Sequence, residues 1–387
     1  MQSIPSEPTE LDASRVIVTL TDRTELKTVP SLAELARGRF SQAMTDHMIL
    51  VSYDPVHGWS APEIKPYGPL SLMPASASFS YGTNAFEGMK AYMGPDGIPR
   101  LFRPEKNMAR FVRSAARVAL PAFSPIELLK LIRRLVTIET RWVPAAKGHS
   151  LYIRPMIIGT QSSLNLSVSD SALLWVMCTP SGPYFRNTRP LSLFAATDAV
   201  RAWPGGTGEH KIAINYGPTL THHQNAQAEG HDMNLWLLGD KITEAGIMNF
   251  FVVLRRDDGD LDVLTPLLDG TILPGITRES VLALAAAHPS RIVLPGLSEE
   301  TRLHPAERVL TMPELETWLA EGRVVEAFAV GTAVVVSPIG RIAWGGKDLV
   351  LPQFGDALGP VSKALRERIL DIQEGEFEWE DWSVLCA

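Results

Sequence analysis

A lysine that follows a glycine-rich loop is the residue of this sequence best suited to covalent chemistry. Lys211 comes shortly after the loop 205–208 and shortly before Tyr216. The amine of a lysine side chain can form an imine with an aldehyde and can then carry protons to and from the bound molecule. Considered alone, Lys211 has a simpler interpretation as a solvated surface residue.

Glu244 supplies a carboxylate at the end of a predicted strand, where its neighbours Ile242 and Ala245 are apolar. A carboxylate in apolar surroundings needs a partner. One suitable partner is the nitrogen of a pyridine ring, because the carboxylate keeps that nitrogen protonated and the ring then withdraws electrons. The simpler interpretation is a glutamate that stabilises a turn.

Two short motifs offer groups that bind anions. The segment 273–280 runs from a loop into a predicted helix, and the N–H groups and dipole of a helix N-terminus favour a phosphate. Thr277 could instead be only the N-cap of that helix. Gly331, Thr332 and Ala333 lie between two apolar segments. They could lend N–H groups and a hydroxyl to an anion, or they could form an ordinary turn.

Several larger side chains in the first half of the chain could line a pocket for a small molecule. They are Tyr81, Phe86, Tyr152 and Arg154. Taken singly, such residues are more often core aromatics and a surface arginine.

The composition is that of a globular protein. Of 387 residues, 45% are hydrophobic and 20% are charged, which are ordinary fractions for a soluble domain. The length is sufficient for two domains. A net charge of −7 disfavours nucleic acid and anionic membranes as partners, because both select clustered positive charge.

The cysteines and histidines do not predict a disulfide framework or a metal site. The two cysteines are Cys178, in an apolar run that predicts burial, and Cys386. His222 and His223 are adjacent and therefore not spaced for one face of a helix. No stretch reaches the roughly 18 apolar residues of a membrane span. Residues 1–14 carry acidic and no basic side chains, so we expect a cytoplasmic location.

The periodicity of apolar residues predicts both helices and strands. Helices are expected to begin at Pro104 and Pro125. Short apolar segments predict strands on both halves of the chain, among them 85–92 and 333–336. The proline-rich segment 179–190 has neither periodicity and is expected to link two domains. These features together predict a two-domain α+β protein.

A series of motifs, taken in order, closely resembles the branched-chain amino acid aminotransferases. The motifs are 81–92, 101–104, 107–110, 152–155, 182–185, 211–218, 243–246, 273–278 and 331–333. Because they extend from residue 81 to residue 333, the chain is identified as a member of the fold-type IV group of enzymes that use pyridoxal 5'-phosphate (PLP). The branched-chain members of that group are the most similar.

The resemblance implies a fold like that of D-amino acid aminotransferase. A small α/β domain carrying the substrate pocket is expected over residues 1–185, and an interdomain loop over 186–192. A larger PLP-binding domain with a β-barrel-like core is expected over 193–387. A homodimer is also implied, since a partner subunit closes the site in this family.

The resemblance also implies a role for each residue near the cofactor. Lys211 is expected to bind PLP covalently and to act as general base in the proton shift. Tyr216 is expected to hydrogen-bond the phenolic oxygen of the cofactor, and Glu244 to hold its pyridine nitrogen protonated. The residues implied to bind the phosphate are Arg110, Ile276, Thr277 and Thr332.

For the substrates, the resemblance implies L-leucine, L-isoleucine and L-valine with 2-oxoglutarate as the amino acceptor. Thr332 and Ala333 are expected to receive the α-carboxylate, and Arg154 the distal carboxylate of glutamate. The residues implied to wall the side-chain pocket are Tyr81, Phe86, Tyr152 and Tyr184. Aromatic walls suit the apolar side chain, and an arginine suits the charged one.

The sequence departs from its relatives at a few positions. Val334 and Ser337 stand where mammalian-type members carry a Cys-x-x-Cys pair, and Ile247 stands where a small polar residue is common. Two alternatives therefore stay open within PLP chemistry: a D-amino acid or amine transaminase, and a specialised biosynthetic aminotransferase. A third alternative is a family member that binds without catalysis, and the retained Lys211 and Glu244 argue against it.

Overall fold

The computed structural model describes residues 9–36, 43–183, 189–355 and 358–386. The strands are β1 (Ile17–Val18), β2 (His47–Asp54), β3 (Gly58–Trp59), β4 (Glu63–Pro66), β5 (Asn84–Phe86), β6 (Met89–Met93), β7 (Pro99–Phe102), β8 (Ser150–Gly159), β9 (Ala172–Ser181), β10 (Leu191–Ala196), β11 (Met233–Leu238), β12 (Lys241–Ala245), β13 (Met248–Arg255), β14 (Leu261–Pro266), β15 (Leu303–Arg308), β16 (Val324–Gly331), β17 (Val335–Trp344), β18 (Lys347–Val350) and β19 (Ser383–Leu385). The helices are α1 (Leu32–Ala36), α2 (Ala77–Tyr81), α3 (Pro104–Arg117), α4 (Pro125–Ile138), α5 (Leu220–Ala228), α6 (Ile276–Ala287), α7 (Met312–Ala320) and α8 (Pro360–Glu374).

The chain forms two compact units. The first contains Met1–Tyr184, His210–Ile214 and Ile372–Ala387, and the second contains Phe185–Glu209 and Asn215–Asp371. The C-terminal segment, which the sequence places in the second domain, packs with the first unit because β19 pairs with β7. The expected interdomain loop at 186–192 falls partly on residues 184–188, which lie outside the described ranges.

The first unit is built on a mainly antiparallel sheet with helices α3 and α4 packed on it. Its strand order is β1-β4-β2-β9-β8-β6-β7-β19, with β3 beside β2 and β5 beside β8. Both helices start with a proline, as predicted, because a proline at the first helical position needs no hydrogen-bond acceptor. Their apolar stripes bury Phe111 and Leu128 in one core with sheet residues such as Ile153.

The second unit contains a closed six-stranded barrel. Strands β10, β11, β12, β13, β16 and β17 pair in sequence, and β17 pairs again with β10. The central strand β13 is buried from Met248 to Leu254, because one face lies inside the barrel and the other is covered. Strands β14, β15 and β18 extend the sheet. The α+β fold class with a barrel in the larger domain is therefore confirmed.

Several predicted elements differ in detail. The strand expected at 85–92 is two strands, because regular pairing with β8 is interrupted at Glu87 and Gly88, although the N–H of Glu87 still donates to the carbonyl of Pro155 at 2.9 Å. The strand expected at 333–336 begins only at Val335, since Ala333 lies in a turn. Cys178 is buried in the core of the first unit, as expected.

None of the helices in the described part of the chain combines the length and the hydropathy that a membrane-spanning segment requires. Within the same ranges, no group of three or more His, Cys, Asp or Glu side chains is arranged to hold a metal ion.

Candidate active site

The break between β5 and β6 buries a carboxylate in the first unit. Glu87 is fully buried and accepts hydrogen bonds from Arg110, Nε to Oε1 at 2.6 Å and Nη2 to Oε2 at 2.9 Å. Asn107 Nδ2 donates to Oε2 at 2.8 Å. A bidentate pair of this kind fixes both the position and the orientation of the guanidinium. Arg110, the arginine predicted to bind phosphate, is thus held in place by a residue of the same unit.

Burial and charge have opposite effects on the pKa of Glu87. Burial alone would raise the pKa of this carboxyl, because the charged form loses its hydration. The charge and hydrogen bonds of Arg110 outweigh burial, and Lys211 and Asn107 act in the same direction. The pKa of Glu87 therefore lies below its usual value, and the side chain is an anion at neutral pH.

One buried face of helix α3 carries polar side chains, and one of them contacts the segment that contains Lys211. Asn107, Arg110 and Ser114 follow each other at helical spacing and are all buried. The backbone N–H of Lys211 donates to Ser114 Oγ at 2.8 Å. The carbonyl of Lys211 accepts from the N–H of Phe86 at 3.1 Å. Both backbone groups of the lysine are therefore bonded within the first unit.

The side chain of Lys211 lies over an aromatic ring. Its Nζ is 4.8 Å from the centroid of Phe86, and the guanidinium carbon of Arg154 is 4.9 Å from the same centroid. Phe86 and Lys211, two residues that the sequence predicts in the site, are thus in direct contact. The ring face is negative and attracts both cations.

Tyr152 and Arg154 lie two residues apart on β8 and so share one face of the sheet. Arg154 Nη2 donates to the Tyr152 hydroxyl at 3.1 Å. That hydroxyl lies close to the backbone of Gly88: a Cβ atom at position 88 would be 2.0 Å from it. The glycine of the Phe-Glu-Gly motif therefore makes room for a predicted pocket residue.

Tyr81, another predicted pocket residue, has its described contact outside this cluster. The hydroxyl of Tyr81, at the end of α2, donates to the carbonyl of Leu164 at 2.5 Å. Tyr184 lies outside the described residues.

In the second unit, both oxygens of the Glu244 side chain are occupied. Oε1 accepts from the N–H of Leu273 at 2.7 Å and from Asn249 Nδ2 at 3.4 Å. Oε2 lies 2.9 Å from Nε of Arg201. Glu244 is buried, so these contacts replace the water that an ionised carboxylate would otherwise bind.

Asn249 links the acid to two of the predicted anion-binding motifs. In the register of the barrel it lies opposite Glu244 on β12 and opposite Val330 on β16, directly before the turn at 331–333. Its Nδ2 also donates to the carbonyl of Leu273 at 2.9 Å, just before helix α6. A Cβ atom at Gly275, the N-cap of α6, would be 2.0 Å from Asn249 Oδ1. Any side chain at position 275 would therefore displace the Asn249 amide from this place.

The turn that contains Thr332 and Ala333 ends on a strained residue. Val335 has a φ of +62°, and the N–H of Val336 donates to the carbonyl of Val334 at 2.9 Å. This is the pattern of a γ-turn, which is strained for a β-branched residue. Val335 is buried and pairs with Gly331 across the hairpin. These contacts hold the turn in one conformation.

Helix α6 begins at Ile276, with Thr277 next, both buried. Its first N–H groups have no acceptor within the helix and can bind an anion. Tyr216 precedes the 3-10 turn Gly217–Thr219 of the same unit.

The chemistry of these groups fits PLP. The first unit supplies an amine, Lys211, and a buried guanidinium, Arg110. The second supplies a buried carboxylate, Glu244, and a helix N-terminus at Ile276. Considered separately, the groups of the first unit suit an aldehyde and a phosphate, and those of the second suit a pyridine nitrogen and a phosphate.

Sequence reasoning missed several residues of these clusters. They are Glu87, Asn107, Ser114, Arg201 and Asn249. Asn107 and Ser114 could have been recognised, because together with Arg110 they form a polar i, i+3, i+7 pattern on the buried face of α3. Local sequence contains no comparable signal for Arg201.

The comparisons with known proteins place the chain in a family. The family model described as amino-transferase class IV matches residues 84–342. The mitochondrial branched-chain-amino-acid aminotransferase of Schizosaccharomyces pombe is 40% identical over 381 residues, covering 97% of this chain and 86% of that protein. The cytosolic enzyme of Saccharomyces cerevisiae is 42% identical over 383 residues, covering 96% and 97%.

Solved structures agree. The branched-chain aminotransferase of Thermoproteus uzoniensis, crystallised with norvaline, has a TM-score of 0.68 at 25% identity and covers 88% of this chain and 100% of that one. The PLP form of the branched-chain amino acid aminotransferase of Thermobaculum terrenum has a TM-score of 0.68 at 20% identity, covers 89% and 100%, and shares the fold. The chain therefore belongs to the branched-chain-amino-acid aminotransferases of amino-transferase class IV, a family of PLP-dependent enzymes.

Proposed function

We propose that this protein transfers the amino group of L-leucine, L-isoleucine or L-valine to 2-oxoglutarate, giving branched-chain 2-oxo acids and L-glutamate in a reversible reaction of branched-chain amino acid biosynthesis. The observation that carries the chemistry is the placement of Lys211. Its backbone is bonded to Ser114 and Phe86, and its amine lies over the Phe86 ring. The choice of substrates is supported by relatives that are branched-chain aminotransferases.

PLP, when bound, supplies an aldehyde that takes up the amino group and a ring that withdraws electrons from the α-carbon. Lys211 holds the cofactor through its Nζ. When this Nζ is not bonded to the cofactor, it would act as the base that moves the proton at the substrate α-carbon. The two backbone hydrogen bonds of Lys211 limit the positions that Nζ can reach, which is how the fold contributes to this proton transfer.

The remaining cofactor residues hold charge in place. Glu244 keeps the pyridine nitrogen protonated, and Tyr216 hydrogen-bonds the phenolic oxygen. The phosphate is bound by Arg110, by the N–H groups of Ile276 and Thr277, and by Thr332. The buried pair of Arg110 with Glu87 supports this assignment, because a two-point contact with a protein carboxylate fixes the orientation of the guanidinium.

The pocket has to accept an apolar side chain and then a charged one. Phe86 and Tyr152 offer apolar surface to leucine, isoleucine and valine, and Tyr81 and Tyr184 complete the proposed wall. Arg154 pairs with the distal carboxylate of glutamate. Its present contacts, the Phe86 ring and the Tyr152 hydroxyl, are weak enough to be exchanged for a carboxylate. Thr332 and Ala333 bind the α-carboxylate.

A homodimer is part of the proposal. An apolar patch in the first unit, formed by Met73, Phe79, Leu164, Leu166 and Val168, is more than 60% exposed at every member. The two segments of the patch are joined by backbone hydrogen bonds, from Ala77 to Gln161 and from Ser163 to Ala75. Exposed apolar patches of this kind mark protein interfaces. We assign this patch to contact with a second copy of the chain.

A cytoplasmic location is also proposed. The cytosolic relative of Saccharomyces cerevisiae supports it, although other relatives are mitochondrial.

The function is tested with a panel of amino donors and 2-oxoglutarate, with glutamate as the measured product. We expect L-leucine, L-isoleucine and L-valine to give the highest kcat/KM, and Lys211→Ala to give no turnover. Higher activity with D-alanine or with a chiral amine would contradict the proposal and indicate a different fold-type IV transaminase.

A further inference from the structure

A buried arginine lies directly behind the acid that is proposed to contact the pyridine nitrogen. Arg201 Nε is 2.9 Å from Glu244 Oε2, and the two side chains are only 7% and 4% exposed. Both residues belong to the second unit. At this depth a carboxylate and a guanidinium interact far more strongly than on the surface, and removal of one partner would leave the other as a buried charge without a counterion.

The other end of the guanidinium is anchored to the backbone. Arg201 Nη2 donates to the carbonyl of Thr271 at 2.6 Å and to the carbonyl of Gly208 at 3.1 Å. Gly208 ends the glycine-rich loop. Thr271 lies two residues before Leu273, whose N–H donates to the other oxygen of Glu244. The arginine therefore joins the acid to two loops and has little freedom to turn away.

The charge of Arg201 determines where a proton shared between Glu244 and a pyridine nitrogen resides. A neighbouring cation stabilises the ionised carboxylate, whereas burial alone favours the neutral acid. With the carboxylate ionised, the proton stays on the ring nitrogen. Without the cation, the proton moves toward the carboxylate and the ring becomes neutral.

We propose that Arg201 is a positioning residue for the reaction: it holds Glu244 ionised and oriented, and through Glu244 it keeps the ring of bound PLP cationic. This inference rests on the proposed function, because it concerns the same cofactor. It extends that function by a residue that contacts neither substrate nor cofactor in the assignments above.

Arg201→Gln is the main test, and two quantities are measured on the purified holoenzyme. We expect kcat with L-leucine to fall by about tenfold or more, because loss of a neighbouring opposite charge changes the pKa of an acid by about one unit or more. We expect KM to change less than about threefold. We also expect the pH midpoint of the near-visible absorbance of the bound cofactor to shift upward. A neutral ring withdraws less charge from the Lys211 nitrogen, so that nitrogen holds its proton to a higher pH.

Two further variants separate charge from structure. Arg201→Lys keeps the charge and should leave the absorbance midpoint near that of the wild type. In a Glu244→Gln background, Arg201→Gln should add little further loss of kcat, because the acid through which it acts is already neutral. Arg189→Gln is the matched control, since Arg189 makes an exposed ion pair with Asp232 in the same unit. It should leave both quantities unchanged.

The inference is overturned if Arg201→Gln keeps its kcat within twofold of the wild type and an unshifted absorbance midpoint. It is also overturned if Arg201→Lys shifts the midpoint as far as Arg201→Gln does. If Arg201→Gln does not fold, the lysine variant and the Glu244→Gln background decide the outcome. The absorbance titration needs no substrate, so a failed donor panel would contradict the proposed function without removing this test.

Discussion

The side chains of Glu87 and Arg110 form a two-point ion pair inside the first unit, at 2.6 and 2.9 Å, with Glu87 fully buried. The arginine proposed to bind the cofactor phosphate is thus oriented by the fold itself. Its removal would leave a buried anion without a counterion, so Arg110 has a structural role as well as a binding role.

Arg110→Ala should lower both cofactor affinity and protein stability. The lost phosphate contact should weaken PLP binding by about 1.5–3 kcal/mol, which is roughly a tenfold to hundredfold rise in Kd. The unpaired Glu87 should lower the free energy of unfolding by about 3–5 kcal/mol. Equilibrium dialysis measures the first effect, and urea denaturation of the apoprotein the second.

A double variant separates the two effects of Arg110. Glu87→Gln combined with Arg110→Met removes both charges together and should recover a large part of the stability. It should not recover PLP affinity. If the double variant binds PLP as tightly as the wild type, Arg110 does not contact the phosphate.

Ser114→Ala should displace the reactive lysine. The N–H of Lys211 loses its acceptor, which costs about 1–3 kcal/mol where the donor is not reached by water. We expect kcat to fall by about tenfold, because small shifts of a reacting group slow proton transfer. Ser150→Ala is the matched control: Ser150 is also fully buried in the first unit, and its hydroxyl has no hydrogen-bond partner among the described residues. An equal fall in kcat in Ser114→Ala and Ser150→Ala would argue against a specific role for Ser114.

The burial of Glu326 should make the free energy of unfolding of the second unit depend on pH. Burial raises the pKa of this carboxyl above its usual value, although it accepts hydrogen bonds from Ser362 and from the N–H of Val361 at the start of α8. The folded state therefore binds a proton more tightly than the unfolded state. Stability conferred by this group is present below the ordinary glutamate pKa and is lost as pH rises toward the raised value.

Glu326→Gln should remove that pH dependence while it keeps the shape of the side chain. Urea denaturation from about pH 5 to about pH 8 should show the variant gaining stability relative to the wild type as pH rises. Glu326→Ala should instead be less stable at every pH by about 1–3 kcal/mol, because the α8 donors lose their acceptor. A constant difference between wild type and Glu326→Gln would contradict the assignment.

The sequence was sufficient to predict the family and the class of fold, which the relatives and the solved structures confirm. Helix-forming periodicity located α3 and α4 to within a residue of their first positions. The motif order was decisive for Lys211 and Glu244, because neither residue is distinctive alone. The roles of these two residues stay predictions, which the variants described above and borohydride reduction of the holoenzyme test.

The partners of those residues could not be predicted, because they are brought together only by tertiary structure. Arg201 and Glu244 lie on separate segments, and nothing near Arg201 indicates that its charge is buried. The strand predicted at 85–92 is interrupted at Glu87 and Gly88, and the local sequence does not indicate that Glu87 is buried in an ion pair with Arg110. Helix α8 was detectable, since Val361, Leu365 and Ile369 form a buried stripe at helical spacing.

Leu166→Asp should disrupt the proposed homodimer. Leu166 is 82% exposed within the apolar patch, and a charge at the centre of an interface leaves a desolvated carboxylate without a partner. Analytical ultracentrifugation should show the wild type as a dimer and the variant shifted to monomer. Val56→Asp, a similarly exposed apolar residue outside the patch, should leave the dimer intact. A wild-type monomer would exclude this use of the patch.

Borohydride reduction of the holoenzyme, followed by digestion and mass spectrometry of the peptides, tests the covalent role of Lys211 most directly. We predict a phosphopyridoxyl mass on the peptide that contains Lys211, and no such mass in a folded Lys211→Ala variant. An adduct on another lysine of the wild type, or none at all, would contradict the assignment.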